Sequence, residues 1–358
     1  MTPRERQLAT IRHEATDRIS VDAIGIENVP QVAQYLHIPE EAVLDRLGLD
    51  GRQVAAWTYL GEKPPAEAGA AVSEWGTAAW DDYGLAHHYP LASAATVADI
   101  EGYRWWPDAA RYNYDEAAVL ARQSAGRYAT RGPYWKPIFC QVCGLMGMEE
   151  AMVKMATEPA MFQAAVQKVS DHVYEYSRRL LDACGDALDI YSLGDDFATQ
   201  RGLMISPDQW RTHLKPHYAR LFAQAKARGK PVWFHSCGDI TSVLPDLIDI
   251  GMDVWETVQL HALPISAEAL KREYGKYITF FGGVNTQRLP FATPDEVRAE
   301  VTHCIRVLGE GGGYICGPDH HIKPDVPPAN VVALFDAATS IPHHTGASAN
   351  GLLYSLPL

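Results

Sequence analysis

The sequence has no cluster of basic residues. Its 31 lysines and arginines are spread along 358 positions and are outnumbered by 44 aspartates and glutamates, which gives a formal net charge of −13. A phosphate-binding surface needs clustered lysine and arginine, so this composition argues against nucleic-acid binding, and the excess of negative charge favours solubility. We therefore expect no nucleic-acid partner.

Long apolar runs are also missing. No uninterrupted apolar stretch reaches the roughly 18 residues of a membrane-spanning helix. The first residues, Met1–Arg6, carry charges of both signs without an apolar core, which is unlike a secretory signal. In such a protein the 6 cysteines are best interpreted as reduced thiols, some with metal or catalytic roles. We expect a cytoplasmic protein without a membrane segment.

Internal repeats and low-complexity tracts are absent as well. What is present, from about residue 115 onward, is a regular alternation of short apolar runs with amphipathic helices. This alternation is typical of βαβ units and predicts a parallel sheet. The predicted strands are Ile19–Ile24, Trp135–Cys140, Leu188–Leu193, Pro231–His235, Asp253–Val258, Tyr277–Phe281 and Gly313–Cys316. The predicted helices are Glu116–Gln123, Met148–Met155, Pro159–Cys184, Pro207–Arg228, Ile240–Ile250, Ala267–Tyr274, Pro294–Leu308 and Pro328–Thr339.

One further strand is needed if the sheet closes into a (β/α)₈ TIM-type barrel, which is the fold class we predict. An open doubly wound sheet is the alternative, but no G-x-G-x-x-G motif follows the first strand. Residues 51–112 are rich in tryptophan, tyrosine, glycine and alanine, and we interpret them as an N-terminal aromatic-rich insertion that caps one end of the barrel. A single barrel domain is expected over residues 1–345, followed by a tail at 346–358.

Polar side chains follow the carboxyl ends of the predicted strands. In parallel barrels these ends gather on one face, and that face carries the active site. The candidate residues are Asp195, Asp196, His235, Cys237, Gln259, Asn285, Gln287, Cys316 and His320.

The His235-Ser236-Cys237 stretch is the most specific of these features. Strand alternation places side chains two positions apart on the same side, so an imidazole and a thiolate can reach one ion. Zn²⁺ suits this pair, and a catalytic zinc needs a third protein ligand, for which Cys316 and His320 are candidates. Core packing of His235 and Cys237 fits the sequence equally well, and the Asp195-Asp196 pair could instead cap the following helix.

Several segments resemble the uroporphyrinogen decarboxylase superfamily, in particular its corrinoid-linked methyltransferase branch. The resemblance runs over most of the chain. It rests on Thr2–Arg6, Thr16–Ile19, Glu74–Gly76, Gly194–Gln200, Phe234–Asp239, Leu247–Asp253, Gly282–Gln287 and Asp325–Asn330. The resemblance implies a (β/α)₈ barrel, in agreement with the strand–helix alternation.

The resemblance also implies a ligand set. In the methyltransferase branch a His-x-Cys pair and a later thiol bind zinc, and His235 and Cys237 match that pair. His320 falls nearest the position of the last ligand and is favoured, while Cys316 stays open. Residues 15–18 read Ala-Thr-Asp-Arg where the decarboxylases carry an arginine-rich motif, so porphyrinogen decarboxylation is not expected.

The function implied is methyl transfer between a small molecule, either a methoxy compound or a thiol, and a corrinoid carried by a separate protein. Asp195, Asp196 and Gln259 would then orient the substrate or the metal ligands, and Asn285 and Gln287 are further candidates for the cofactor pocket. The alternative is a metal-free decarboxylase or lyase of a small carboxylic acid that uses His320 and Asp195 as acid-base groups. The sequence leaves open whether the protein forms a homodimer.

Overall fold

A computed structural model of the chain describes residues 1–65, 72–77 and 88–341. The predicted tail at 346–358 lies outside the described residues. In the described part an 8-stranded parallel sheet has the order β1-β10-β9-β8-β7-β4-β3-β2 and curves into a nearly closed barrel, which confirms the predicted fold class. The barrel strands are β1 Ser20–Val21, β2 Gly51–Gln53, β3 Ala129–Pro133, β4 Ile190–Gly194, β7 Val232–His235, β8 Val254–Val258, β9 Thr279–Val284 and β10 Tyr314–Pro318; β5 Ala198–Thr199 and β6 Gly202–Leu203 form a separate antiparallel hairpin.

Helices follow the strands and cover the outside of the barrel. Their bounds are α1 Pro3–Ile11, α2 Val29–Leu36, α3 Val43–Arg46, α4 Val97–Glu101, α5 Tyr114–Ser124, α6 Phe139–Met146, α7 Met148–Thr157, α8 Pro159–Cys184, α9 Pro207–His213, α10 Lys215–Lys226, α11 Leu244–Asp249, α12 Ala267–Tyr274, α13 Pro294–Leu308 and α14 Pro328–Ser340. Short 3₁₀ turns occur at Glu40–Ala42, Ala109–Arg111, Gly185–Ala187 and Leu260–Ala262. None of the helices in the described ranges combines the length and apolar character that crossing a bilayer requires.

Local signals explain why the helix predictions were accurate. Helix α13 begins with a capping box, in which Thr293 Oγ1 accepts from the Glu296 amide and the Glu296 carboxylate accepts from the Thr293 amide. Helices α8, α12 and α13 have the predicted bounds. The predicted helix Pro207–Arg228 is instead two helices, α9 and α10, separated at Leu214 just before Pro216, since a proline disrupts the backbone hydrogen bonding of the preceding turn.

The predicted strand Trp135–Cys140 is wrong. The barrel strand in this region is β3, and residues from Phe139 onward form α6. A short apolar run can be a buried strand or a buried helix, and its periodicity alone does not distinguish them. The sequence did not predict β3, because this strand contains Arg131-Gly132-Pro133, a sequence with low strand propensity.

The strand missing from the prediction is β2, which pairs in parallel with β3. It comprises the first three residues of the segment 51–112, so that segment is not purely an insertion. The sequence of β2 is Gly-Arg-Gln and has no hydrophobic pattern, which explains why it escaped notice.

The barrel interior is filled by a layer of apolar side chains, to which β3, β4, β7, β8, β9 and β10 each contribute one residue. On β7, Trp233 lies in this interior cluster, whereas Phe234 packs outward against Tyr218 and Phe222. Ile11 of α1 belongs to the same cluster, so the N-terminal helix covers one end of the barrel. The interior cluster comprises Ile11, Ile24, Ala129, Ile190, Trp233, Val254, Phe281 and Ile315.

Asp50 joins β1 to β2 where the barrel closes. Its amide donates to the Val21 carbonyl at 2.9 Å, and its carboxylate accepts from the Val21 amide and the Ser20 hydroxyl. The same fully buried carboxylate pairs with Arg6 at 2.7 Å and with Arg18 at 3.0 Å. Asp50 therefore links β1 to the start of β2 through its amide and its carboxylate. Elsewhere in the barrel, regular backbone hydrogen bonds between paired strands provide this link.

We expect Asp50→Asn to destabilise the protein by about 3 kcal/mol or more, because it removes the charge that compensates two buried or half-buried guanidinium groups. Urea unfolding followed by circular dichroism measures this effect. The matched control is Asp336→Asn, since Asp336 forms an exposed pair with Arg46 and should change the unfolding midpoint little. Equal effects of the two substitutions would contradict the role assigned to Asp50.

Candidate metal centre

His235 ends β7 and lies inside the barrel mouth, on the same side of the strand as Trp233. Its Nδ1 atom is 2.9 Å from Oε1 of Glu256, the residue opposite it on β8. A carboxylate can only accept, so Nδ1 carries a proton and donates it. In a neutral imidazole this leaves the lone pair on Nε2, the atom that faces the cavity side of the site.

Glu256 is held by the barrel interior. The carboxylate is fully buried and also accepts a hydrogen bond from Trp233 Nε1. Burial alone raises the pKa of Glu256, but the hydrogen bond and charge of His235, the charge of Arg131 and the Trp233 bond hold it below its usual range. Arg131 is in turn fixed by Asp22 at 2.6 Å, a pair in which both side chains are buried.

Cys237 lies beside His235. Its Sγ atom is 3.5 Å from His235 Nε2, and Thr257 Oγ1 lies 3.8 Å from the same sulfur. The Cys237 amide donates to Asp196 Oδ1 at 2.8 Å, which also places that carboxylate 3.7 Å from His235 Nε2. Alternation on an extended segment thus brings the two side chains together, as the His-x-Cys spacing predicted.

The turn after Cys237 depends on Gly238. This residue has φ +79°, and a Cβ atom on it would lie 2.4 Å from the Thr199 carbonyl oxygen, so a larger residue does not fit. The Gly238 amide donates to Oε1 of Gln259 at 2.8 Å. Gln259, predicted to orient the substrate or the metal ligands, therefore holds the turn that follows Cys237 and also lines the adjacent cavity.

His320 completes the cluster. One ligand atom from each of His235, Cys237 and His320 lies within 4.8 Å of the other two. Burial, together with the charges of the two neighbouring histidines, lowers the pKa of His320 to about 4, so its imidazole is neutral near pH 7. The structure thus brings together two imidazoles and a thiol at the mouth of the barrel.

Cys316, the other candidate for the third ligand, does not join this cluster. It is fully buried on β10, in the core between the barrel and its helices, whereas its neighbour Ile315 points into the barrel. Burial raises the pKa of the Cys316 thiol to about 12, and Tyr314 and Cys304 are among the groups around it. The expectation that Cys316 is a ligand is therefore corrected in favour of His320.

Asp195 has a structural position. Its fully buried carboxylate accepts from the amides of Ile138, Phe139 and Cys140 at 2.8, 2.5 and 3.0 Å and from the Tyr218 hydroxyl at 2.5 Å. These contacts cap the N-terminus of α6, an earlier helix rather than the following one. An acid-base or substrate-orienting role does not fit a carboxylate whose oxygens are occupied in this way, so that expectation is also corrected.

Asn285 and Gln287 lie on the loop after β9. Asn285 Oδ1 accepts from the Gln287 amide at 2.9 Å and so closes a local turn. Gln287 is exposed and lines the cavity that contains Cys237 and His320. Next to this loop, buried Asp319 accepts from the amide and hydroxyl of Thr286, and its second oxygen lies 3.4 Å from His261 Nδ1. Asp319 and His261 were not among the predicted site residues.

One cavity contains part of the cluster, and a second cavity borders Asp196. The first, of about 500 Å³, is lined by Thr199, Gln200, Cys237, Gly238, Gln259, Gln287, Phe291 and His320, among others. The second, of about 730 Å³, has aromatic, polar and aliphatic walls and is lined by Trp57, Glu74, Trp75, Tyr89, Trp135, Lys136, Cys140, Gln141, Met148 and Asp196, among others. Asp196 connects them, because it borders the second cavity and holds the Cys237 amide beside the first.

Fold and site together define a parallel α/β barrel with an imidazole–thiol–imidazole cluster at the carboxyl ends of its strands. The family model described as uroporphyrinogen decarboxylase (URO-D) matches residues 92–341. The chain belongs to the uroporphyrinogen decarboxylase family.

Curated relatives carry the same family name, and a solved structure shares the fold. The uroporphyrinogen decarboxylase of Chlorobaculum tepidum is 25% identical over 190 residues, covering 51% of this chain and 50% of that protein. An enzyme of the same name from Thermus thermophilus is 25% identical over 187 residues, covering 49% and 48%. The chain thus spans about half the length of the curated relatives it matches. A methyltransferase from Methanosarcina mazei has the same fold, with a TM-score of 0.65 and 20% identity over 95% of this chain and 99% of that one.

Neighbouring Asp195 and Asp196 should respond differently to the same substitution. Asp195→Asn places an NH₂ group among donors only, so we expect a loss of about 3 kcal/mol in the free energy of unfolding. Asp196→Asn keeps an oxygen for the Cys237 amide and should change stability far less. Urea unfolding of the two variants tests this, and a larger loss for Asp196→Asn would be inconsistent with the capping role.

Proposed function

We propose that this protein is a zinc-dependent methyltransferase that moves a methyl group between a small molecule and a corrinoid carried by a separate protein. The observation that carries the proposal is the cluster of His235, Cys237 and His320 at the barrel mouth. Family membership and the shared fold with a methyltransferase from Methanosarcina mazei support it.

The donor atoms fit zinc. In a tetrahedral site with usual Zn–N and Zn–S bond lengths, the nitrogen and sulfur ligands lie about 3.5 Å apart, and His235 Nε2 and Cys237 Sγ are 3.5 Å apart. Three protein ligands leave one coordination position for a substrate, as in catalytic zinc sites. Glu256 is the carboxylate partner that metal-binding histidines commonly have on their second nitrogen.

A zinc ion in this position would act as a Lewis acid, either on the heteroatom that bears the methyl group or on a thiol acceptor. The residues around it fix the geometry. Glu256 sets the tautomer of His235, and Gln259 and Asp196 hold the backbone that carries Cys237. The Trp135 ring packs edge-on against His235 with centroids 5.5 Å apart and shields one side of the cluster.

The two cavities suggest how the two substrates are arranged. The aromatic walls of the second cavity favour a methoxy compound over a small thiol. The first cavity opens at the carboxyl face of the barrel beside Phe291, whose side chain is 87% exposed, and this is where we place the corrinoid. In the proposed reaction the methyl–oxygen bond of the donor would break, the corrinoid's cobalt(I) would accept the methyl group, and the released oxygen anion would take up a proton.

The alternative, a metal-free decarboxylase or lyase, relied on His320 and Asp195 as acid-base groups. The curated relatives are named as decarboxylases, but the Asp195 carboxylate is occupied by the α6 cap. The lyase function is therefore the alternative that elemental analysis of the purified protein tests.

Elemental analysis of the purified protein tests the metal. We expect close to one zinc per chain in the wild type, loss of zinc in Cys237→Ala and His320→Ala, and retention in the matched control Cys316→Ala. Cys237 and His320 belong to the cluster and Cys316 does not. Comparing the zinc content of the three variants therefore separates the loss of a ligand from a general loss of folded protein. A zinc-free wild type that still consumes a carboxylic acid would support the lyase instead.

Glu256→Gln should weaken zinc binding roughly 10- to 100-fold, since partners of this kind orient and polarise a ligating imidazole. Competition with a chromophoric chelator measures the affinity directly. Methyl transfer from a methoxyarene to cob(I)alamin, followed by absorbance, should fall in parallel. An unchanged zinc affinity would show that Glu256 does not position His235 for a metal.

A further inference from the structure

The second cavity contains a lysine side chain, Lys136, that lies over aromatic rings. Lys136 follows β3 and lines this cavity, and its Nζ atom lies 4.4 Å from the centroid of the Tyr176 ring and 5.0 Å from that of Tyr112. Across residues 1–65, 72–77 and 88–341, no carboxylate comes within the 4.0 Å of an ion pair with Lys136, whereas most other buried cations have one. Burial lowers the pKa of Lys136, and the charge of Glu74 partly opposes this effect.

Glu74 does not neutralise this charge by direct contact. It lines the same cavity, and its Oε1 atom accepts from the Tyr112 hydroxyl at 2.7 Å. The carboxylate is thereby held on the tyrosine rather than on Lys136. An ammonium group in a largely apolar cavity is costly unless an anion completes it, and the cavity has room for one.

The walls around Lys136 are rigid and flat. Trp75 packs on His172 with ring centroids 4.6 Å apart and on Trp106 at 6.2 Å, so its orientation is fixed. A volume of about 730 Å³ is in the range of cavities that hold ligands of one or two rings. Aromatic walls of this kind favour planar, apolar ligand bodies.

Lys136 also has a defined position relative to the metal cluster. Its chain neighbour Trp135 packs against His235, and Asp196 at the edge of the same cavity lies 3.7 Å from His235 Nε2. A planar ligand lying along Trp135 would therefore have one end at Lys136 and the other directed towards Asp196, which lies beside the cluster.

We propose that the second cavity binds aromatic carboxylic acids, with Lys136 as the residue that binds the carboxylate and the methoxy group directed towards His235 and Cys237. The carboxylate recognition is independent of the metal, while the direction of the methoxy group rests on the proposed function. Lys136 is thus assigned as the residue that selects acids over neutral analogues.

Binding of 4-methoxybenzoate and of 4-methoxybenzamide tests the assignment, because the two differ mainly in charge. Isothermal titration calorimetry on the purified full chain should show at least tenfold tighter binding of the acid by the wild type. Lys136→Met should weaken binding of the acid at least tenfold and that of the amide less than twofold. Lys136→Arg keeps a cation and should retain a preference for the acid.

Lys276→Met is the matched control, since Lys276 also lies over a tyrosine ring, 4.6 Å from the centroid of Tyr277, but at the exposed surface. It should leave both affinities unchanged. Equal affinities of the wild type for acid and amide, or no binding of either, would overturn the assignment without any need for a variant. A wild-type protein that prefers the acid but contains no zinc and transfers no methyl group would refute the proposed function. The carboxylate site would still stand in that case.

Discussion

The hydrogen bond between His235 and Glu256 determines what the barrel mouth can do. A carboxylate enclosed by a barrel is costly to ionise, and here the imidazole, the indole of Trp233 and the charge of Arg131 make the ionised form favourable. Once Glu256 is ionised, it fixes the proton of His235 on Nδ1. Nε2 is then the nitrogen of His235 that could bind a metal ion, beside a thiol and the neutral imidazole of His320, a donor set that suits a soft or borderline metal ion.

Different buried or half-buried carboxylates stabilise different parts of the site and the barrel. Asp195 holds helix α6 and Asp196 holds the turn that carries Cys237, although the two residues are adjacent in the chain. Asp50 closes the barrel far from the site by joining its first two strands. The site therefore rests on buried charges, each satisfied by a specific partner, in a barrel whose apolar layer excludes water. Within the described residues Lys136 has no carboxylate at ion-pair distance, which supports the ligand site that we propose beside it.

Local sequence signals predicted the fold well where they were strong. Capping boxes, prolines at helix starts and long 3.6-residue periodicity gave α8, α12 and α13 their observed bounds. The failures fell on β2 and β3, whose glycine, arginine and proline residues have low strand propensity. Their extended conformation is imposed by neighbouring strands, through register contacts such as Arg131 with Ile190, and a single sequence does not display such contacts.

Glu256 shows the same limit at the site. Glu256 is a glutamate within the apolar strand Val254–Val258, and the sequence could have indicated it as a candidate site residue for that reason. Its partner could not be named, however, because the pairing depends on the register between β7 and β8.

By itself the sequence determined the alternation of strands and helices, and it placed an imidazole and a thiol two positions apart at a strand end. Only the tertiary structure decided which later residue joins them. Cys316 and His320 are four positions apart, yet the parity of β10 turns Cys316 outward, while the chain beyond the strand returns His320 to the barrel mouth. Which face of a strand looks inward is fixed by packing across the whole barrel, because a shift of one residue would exchange every inward side chain for an outward one.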